Sequence, residues 1–519
     1  MSGDAPTAAG SGRYYVTTPI YYVNDRPHLG HAYTMVAADV LARWKRLEGR
    51  EVFFLTGTDE HGQKVQKAAE AAGMDPQAFT DDVSRHFREL TRQMTVTNDD
   101  FIRTTEPRHK QACAALWERL AEAGDIYLGH YEGWYAVRDE AFYGPDELVE
   151  RSGVKYAPSG APVEWVREPS WFFRLSAWGD RLLAFYEANP DFIAPATRRN
   201  EVLSFVRSGL QDLSISRTSF RWGVPVPRDD AHVMYVWLDA LTNYITALGY
   251  PDTHDPRWHF WPADVHLVGK DILRFHTIYW PAFLMAAGLP TPRRVFAHGW
   301  WTVEGEKMSK SLGNAISPVV LAEEFGLDPL RYFLLREVPF GNDGDFSRRA
   351  LIGRLNSELA NDFGNLANRV LSLIAKNCEG RLPAVGETAE ADRELLGPVE
   401  ALPGQVAEAL DRQAFHEALE RVWAVVRLGN SWIDSQKPWA LRKSDPVRMA
   451  AVLRNLHTAL RTLATVLQPV MPGTMAAMLD QLGVGEGARS LSALASPLPE
   501  GTALPAPAPL FRKVEETAA

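Results

Sequence analysis

Two pairs of side chains have the types and spacing to handle a phosphate. They are His28 and His31 in Pro27-His28-Leu29-Gly30-His31, and Lys307 and Lys310 in Glu306-Lys307-Met308-Ser309-Lys310-Ser311. Transfer at phosphorus needs positioning and charge stabilisation more than a covalent bond to the protein. Imidazole donors on a rigid turn and ammonium donors on a mobile one would supply both. Either motif alone is weak, because paired histidines are often structural and a Lys-x-Ser-Lys is often a solvated loop. Their joint occurrence, in this order and with the flanking elements described next, is much more specific.

The elements that must hold these groups are legible around them. Arg13-Tyr14-Tyr15-Val16-Thr17-Thr18 is β-branched and aromatic and predicts a strand. Ala32, Met35, Val36, Val40, Trp44 and Leu47 then recur at helical spacing until Gly49 ends the pattern. A strand that turns into a helix presents backbone N–H groups and a positive dipole end to an anion. The lysines lie between the apolar run Val295-Phe296-Ala297 and a helix that Ser317 caps, with Pro318 at its first position. Gly305, Ser309, Ser311 and Gly313 make that stretch a loop.

At 519 residues the chain exceeds what a single core supports, so several domains are expected. A 46% hydrophobic and 23% charged composition is that of an ordinary globular protein, and no apolar run reaches membrane-spanning length. The start lacks a basic flank with an apolar core, so a cytoplasmic protein is expected. Cys113 and Cys378 are the only cysteines, which excludes a disulfide framework and a zinc site built mainly of thiolates; both are expected to be buried structural thiols. A net charge of −10 argues against indiscriminate coating of nucleic acid, but not against a local basic groove.

Along the chain, residues 1–12 are small and polar and are expected to be disordered. Residues 13–116 alternate strands and helices. Glu51-Val52-Phe53-Phe54-Leu55-Thr56 reads as a buried parallel strand, with Gly57-Thr58-Asp59-Glu60-His61-Gly62 at its carboxyl end. Ligands of doubly wound sheets lie beyond such ends, so Asp59 is placed to meet an ammonium; the alternative is that it caps a helix near Gln63. From 117 to 230 Gly, Pro and aromatic residues punctuate short strands, as expected of an inserted α+β module. The sheet pattern resumes over 231–300 with Val233 to Ala240, Val265-His266-Leu267-Val268 and Gly269-Lys270-Asp271-Ile272. Residues 301–350 hold the lysine loop and a short helix, Leu330 to Arg336, capped by Asp328-Pro329. Residues 351–489 read as an antiparallel helical bundle, with Leu359, Phe363, Leu366, Val370 and Leu373 on one stripe and Met449, Val452, Leu456, Leu460, Leu463 and Leu467 on another. The Pro- and Ala-rich tail, 490–519, is expected to be extended, packed back or loose.

The fold class expected is therefore α/β: a doubly wound, Rossmann-like parallel-sheet domain, split by an α+β module and followed by an α-helical bundle. The two phosphate motifs resemble the signature motifs of class I aminoacyl-tRNA synthetases. From about Tyr14 to Leu467 the chain most closely resembles the methionine-specific enzymes of that family. The stretches that carry the resemblance are Thr17-Thr18-Pro19-Ile20-Tyr21-Tyr22, Gly57 to Gly62, Tyr235-Val236-Trp237-Leu238-Asp239-Ala240 and Gly269-Lys270-Asp271-Ile272.

The resemblance implies a ligase that activates L-methionine with ATP and Mg²⁺ and charges tRNA(Met), initiator tRNA included. His28, His31, Lys307 and Lys310 would be catalytic. Gly30, His31, Asp271, His298, Lys307, Ser309 and Lys310 would bind ATP. Ile20, Tyr22, Trp237, Ala240, Leu241, Tyr244, Ile272, His276 and Trp280 would line the methionine pocket, with Asp59 on the ammonium. Aromatic walls suit a polarisable thioether, although Trp237, Tyr244 and Trp280 would also serve as ordinary core. In the helical domain Asn365, Arg369 and Trp439 match anticodon-reading positions, and an amide, a guanidinium and an aromatic plane suit splayed bases. They could equally be solvated or core residues.

Relatives often carry a zinc knuckle of paired cysteines in the insertion. Here those positions fall on Ala136, Asp139, Ala157 and Gly160, so no zinc is expected and side-chain packing must replace it. The insertion, roughly 110 residues, is too short for the hydrolytic editing domain that close aliphatic rivals demand. A monomer is expected, with no membrane partner. The alternatives are another class I synthetase without an editing domain, a small-molecule adenylyltransferase, and a non-catalytic tRNA-binding relative, against which the intact histidines and lysines argue.

Overall fold

The run that predicted a strand forms β1 (Arg13–Thr17), followed by the short β2 (Tyr21–Tyr22). Helix α1 (Leu29–Leu47) starts one turn earlier than its apolar stripe and stops before Gly49, whose φ of 84° is left-handed. The apolar run becomes β3 (Glu51–Asp59), then come β4 (Asp100–Arg103) and α2 (Pro107–Glu122). The structure is a computed structural model, and it describes residues 12–23, 26–139, 141–303, 305–308 and 315–515.

The next stretch builds an antiparallel sheet from β5 (Ile126–Ala136), β6 (Ala141–Tyr143) and β7 (Glu164–Phe173). Then β8 (Ile193–Ala194), β9 (Leu213–Ser214), α3 (Val236–Thr246), β10 (Val265–Gly269) and β11 (Val295–His298) follow. The main sheet has the order β8-β11-β10-β1-β3-β2, with β4 also paired to β3. β1 runs parallel to β10 (Val16 opposite Val265), β10 to β11, β11 to β8, and β3 to both β2 and β4. Strand order therefore reverses between β1 and β10, the switch point at which such sheets open a ligand crevice.

Two details move the expected boundaries of the insertion. Residue 117 lies inside α2, where Trp117 is buried, and β8 adds an edge strand to the main sheet from within the predicted module.

The described residues divide into two compact units, one of Arg13–Pro27 and Phe53–His298, the other including His28–Val52 and Gly299–Ala519. Helix α1 thus belongs with the C-terminal helices, and buried charges show why. Asp39 accepts from Arg331 Nη2 at 2.6 Å, and Arg331, fully buried, also donates to the carbonyls of Pro469 and Val470. Lys45 is 2.6 Å from Asp411. Breaking a pair as buried as Asp39–Arg331 by removing one partner typically costs about 3–5 kcal/mol, whereas Asp411 is exposed and its pairing with Lys45 is weaker.

In that second unit α4 (Leu327–Arg336) begins at Leu327 rather than Leu330. Asp328 does not cap it, because its carboxylate takes the amide of Thr474 at 2.5 Å. Ser317 does cap the preceding helix, Pro318–Phe325. A π-helix, Leu355–Gly364, runs into α5 (Asn365–Asn377); α6 (Glu390–Asp411), α7 (Phe415–Gln436), α8 (Pro438–Ser444) and α9 (Pro446–Leu467) complete the bundle. The tail packs back: Leu382 donates to Thr502, Leu504 to Gly380, and the Asn356 amide holds Val514 by both its N–H and its carbonyl. Cys113 is fully buried as expected, whereas Cys378 is only half-buried. Among the described residues no helix is long and apolar enough to cross a membrane.

Candidate active site

His28 is the N-cap of α1, an unusual residue there. Its Nδ1 accepts from the Gly30 amide at 3.1 Å, while the His28 amide donates to Nδ1 of His31 at 3.0 Å. The two rings lie 4.1 Å apart. Because both Nδ1 atoms act as acceptors, the neutral tautomer of each ring carries its proton on Nε2. The turn thus orients two imidazole N–H donors at a helix N-terminus, a site suited to an anion. Gly30 leaves room for the ring in this position, since a Cβ would lie 2.9 Å from His28 Cε1.

The lysine segment belongs to the same unit. Lys307 pairs by its backbone with Thr302 in a short antiparallel ribbon. The ring of Trp301 meets Tyr33 of α1 at 5.7 Å, and beyond the loop Ile316 accepts from the Leu29 amide at 3.0 Å. Both ends of the segment are thereby anchored at the first turns of α1, beside the histidines. Ser309 and Lys310 lie outside the described residues.

In the other unit, the remaining predicted residues collect at the carboxyl ends of neighbouring strands. Ile20 and Tyr22 follow β1, Asp59 ends β3, Asp271 and Ile272 follow β10, and His298 ends β11. Gly269 is opposite His298 in the β10–β11 register, so Asp271 and His298 stand at adjoining strand ends. Asp59 is buried and does not cap the helix Gln63–Ala71, whose N-cap is Gly62.

Trp237, Ala240, Leu241 and Tyr244 share α3 and are all buried. The Tyr22 ring meets Trp237 edge-on at 6.5 Å, and Tyr244 lies 6.0 Å from Trp280. The Tyr244 hydroxyl donates to His276 Nε2 at 2.7 Å, and His276 Nδ1 donates to the Ile272 carbonyl at 2.9 Å. Burial keeps the imidazole neutral by pushing the His276 pKa down to about 4, and the bond to Ile272 then sets its tautomer. An uncharged aromatic cluster results, in which the indole N–H groups of Trp237 and Trp280 have no hydrogen-bond partner among the described residues. Phe275, absent from the predicted set, stacks on Trp237 at 3.8 Å and 8°. Its signal was available, since it immediately precedes His276. A π-helical turn, Phe275–Tyr279, displaces these side chains from α-helical spacing.

In the helical unit Asn365 begins α5 and is exposed. Arg369, one turn on, pairs with Asp434 and lies over the Trp439 ring at 5.7 Å. Lys437 (φ 48°) makes the left-handed turn that starts α8 and puts Trp439 on its first turn, 47% exposed. The bundle's Trp423 and Trp432, by contrast, are buried.

The four positions that the resemblance aligns with knuckle ligands lie at two tight turns: Asp139 N–H to Ala136 O, and Gly160 N–H to Ala157 O. Ala136, Ala157, Ala161 and Val163 pack together inside. Of the four positions only Asp139 offers a donor atom, and its carboxylate accepts from Tyr143 at 2.9 Å and from Ser159. This set does not fit tetrahedral zinc.

Residues 14–371 match the family described as tRNA synthetases class I (M), and 382–519 match the anticodon binding domain of methionyl tRNA ligase. The chain belongs to the methionine class of class I tRNA synthetases. Within that family, the methionine--tRNA ligase of Brucella suis is 55% identical over 97% of this chain and 98% of its own length. That of Rickettsia bellii is 57% identical over 91% of this chain and 92% of its own. Among solved structures, the Mycobacterium tuberculosis methionyl-tRNA synthetase in complex with methionyl-adenylate is 52% identical. It covers 96% of this chain and 99% of its own, with a TM-score of 0.94. The doubly wound fold and the helical anticodon-binding domain are those of the family.

Proposed function

We propose that the chain is a methionine–tRNA ligase working through the residues named above. A carboxylate oxygen of L-methionine attacks the α-phosphorus of ATP, the bond to the β-phosphate breaks, and pyrophosphate leaves with the bonding pair. A terminal ribose hydroxyl of the tRNA then attacks the carbonyl of the adenylate, and AMP departs. Asp59 holds the ammonium, and the recess of Ile20, Tyr22, Trp237, Ala240, Leu241, Tyr244, Ile272, His276 and Trp280 takes the thioether. His28 and His31 donate through Nε2 to the phosphates, with Lys307 and Lys310 neutralising the leaving charge. Gly30, Asp271, His298 and Ser309 complete the nucleotide site, and ATP enters as its Mg²⁺ complex.

Asn365, Arg369 and Trp439 read the anticodon, by stacking and edge hydrogen bonds, on elongator and initiator tRNA(Met) alike. The protein is a cytoplasmic monomer that carries no zinc. Support for the zinc-free insertion comes from the donor-poor knuckle.

The observation that carries the reading is the neutral His276: held uncharged by burial among aromatic walls, and oriented by Tyr244 and Ile272, it suits an apolar, polarisable side chain. ATP–pyrophosphate exchange measured with each of the twenty amino acids tests it. Methionine should support exchange at least a hundredfold better than leucine or isoleucine. Equal rates with several aliphatic amino acids would refute it.

A further inference from the structure

A second cluster of buried polar groups lies behind the methionine recess, within the same unit. Asp239 sits on the first turn of α3, flanked in sequence by Trp237 and by Ala240 and Leu241, and its side chain is almost wholly buried. Its two oxygens are taken by two imidazoles from different parts of the chain. Oδ2 accepts from His61 Nδ1 at 2.7 Å, and Oδ1 accepts from His109 Nε2, also at 2.7 Å. His109 Nδ1 contacts Thr246 Oγ1 at 3.2 Å at the far end of α3, and Cys113, one turn along α2, lies 3.2 Å from His109 Nε2. Burial works against the Asp239 charge, but His61 and His109 outweigh it and hold the carboxyl well below the usual carboxylate range.

His61 is two residues beyond Asp59, on the loop that closes β3. That loop is held at its other residues too. Glu60 takes Arg103 at 2.7 and 2.9 Å, Trp222 Nε1 donates to the Glu60 carbonyl, and the Gly62 amide donates to the Trp222 carbonyl at 3.0 Å. The His61 ring also meets Trp222 edge-on at 5.4 Å. One carboxylate thus joins the loop that presents the ammonium-binding group to the helix that presents the side-chain pocket.

We infer that Asp239 is a positioning residue for amino-acid binding, fixing through His61 the separation between Asp59 and the recess on α3. The inference rests on the methionine-ligase reading. An amino acid is recognised at two ends, so the spacing of the two subsites decides which chain length fits. A misplacement of one subsite raises the methionine KM and leaves the nucleotide alone. The ligand-like grouping of His109, Cys113 and Asp239 is a hydrogen-bonded set. Its O···N separation of 2.7 Å is shorter than the about 3.3 Å edge that a tetrahedron of ligands at zinc distances requires.

The test uses the full chain in pyrophosphate exchange, with thermal melting as the folding control. Asp239→Asn keeps the shape but offers only one acceptor oxygen to two donors. It should raise the methionine KM tenfold or more, while the KM for ATP changes less than twofold. His61→Ala should do the same, and His61→Asn, which restores an amide N–H near the Nδ1 position, should recover most of the loss. If Asp239→Asn fails to fold, the two His61 variants decide. An unchanged methionine KM in His61→Ala, equal rises in both KM values, or no rescue by His61→Asn would overturn the inference. So would stoichiometric metal in the wild type that Asp239→Asn loses. If the wild type itself does not use methionine, the functional reading has failed instead.

Discussion

Gly30 shows how one missing side chain can serve the turn that carries a catalytic ring. The His28 ring folds over its own helix start, and its Nδ1 bond to the Gly30 amide turns Nε2 into the donor. A Cβ at position 30 would press on Cε1 of that ring at 2.9 Å, which the flexible side chain can relieve by rotating away. Gly30→Ala should therefore melt within about 1 kcal/mol of the wild type, since no core packing is lost. Its exchange rate constant should fall tenfold or more, because a displaced imidazole no longer meets charge developing on the phosphates. A raised KM for ATP with kcat intact would instead mean that Gly30 clears space for the adenine ring. Rapid-equilibrium exchange kinetics over an ATP series separates the two outcomes.

Elements with a strong period were legible in the sequence, and elements defined by distant partners were not. β1, β3, β10 and the stripe of α1 follow from β-branched runs and helical spacing, and the Ser317-Pro318 start was readable as a cap and first position. The π-helix Leu355–Gly364 leaves no such signature. It exists because neighbours satisfy its loosened carbonyls: Trp423 Nε1 donates to Glu358, and the Asn430 amide to Asp362. Similarly, nothing local announces that Asp39 will meet Arg331, or that His61 will meet Asp239. The candidate site was legible residue by residue through motifs, but Phe275 against Trp237 is a packing fact. At this scale the α5–α8 contact makes its own prediction. Arg369 over Trp439 is an exposed pairing whose removal leaves the bundle core untouched, so Trp439→Ala should shift the melting temperature by less than ~2 °C. Exchange should be unchanged, while transfer to tRNA(Met) should fall by a factor of a hundred or more. Equal loss of exchange and transfer would remove these residues from anticodon recognition.

Each unit of the molecule also buries a neutral histidine, and this sets how the whole responds to acid. His276 in the sheet unit and His457 in the bundle are both pushed down to about 4 by burial; the latter donates from Nε2 to the Leu482 carbonyl at 2.9 Å. His266, in the sheet unit, is also lowered well below the ordinary histidine range by burial. Between the ordinary histidine range near pH 6.5 and about pH 4, the unfolded chain binds protons that the folded chain refuses. Stability therefore rises with pH across that window and is lost as pH falls through it. His276 and His457 each contribute on the order of 3 kcal/mol at neutral pH. The carboxylates act lower: Asp239, held down by its imidazoles, and Asp255, held to about 2 by Arg257, lose their contribution only as pH drops below the ordinary aspartate range. Urea midpoints should fall steeply for both units between pH 6.5 and 5, above the range in which most carboxylates titrate. His457→Gln can keep a donor for Leu482 without titrating, so it should flatten the decline of the bundle's transition and leave that of the sheet unit as it was. Identical midpoints at pH 7 and pH 4.5 would mean that these imidazoles accept protons without unfolding, and that burial does not hold them neutral.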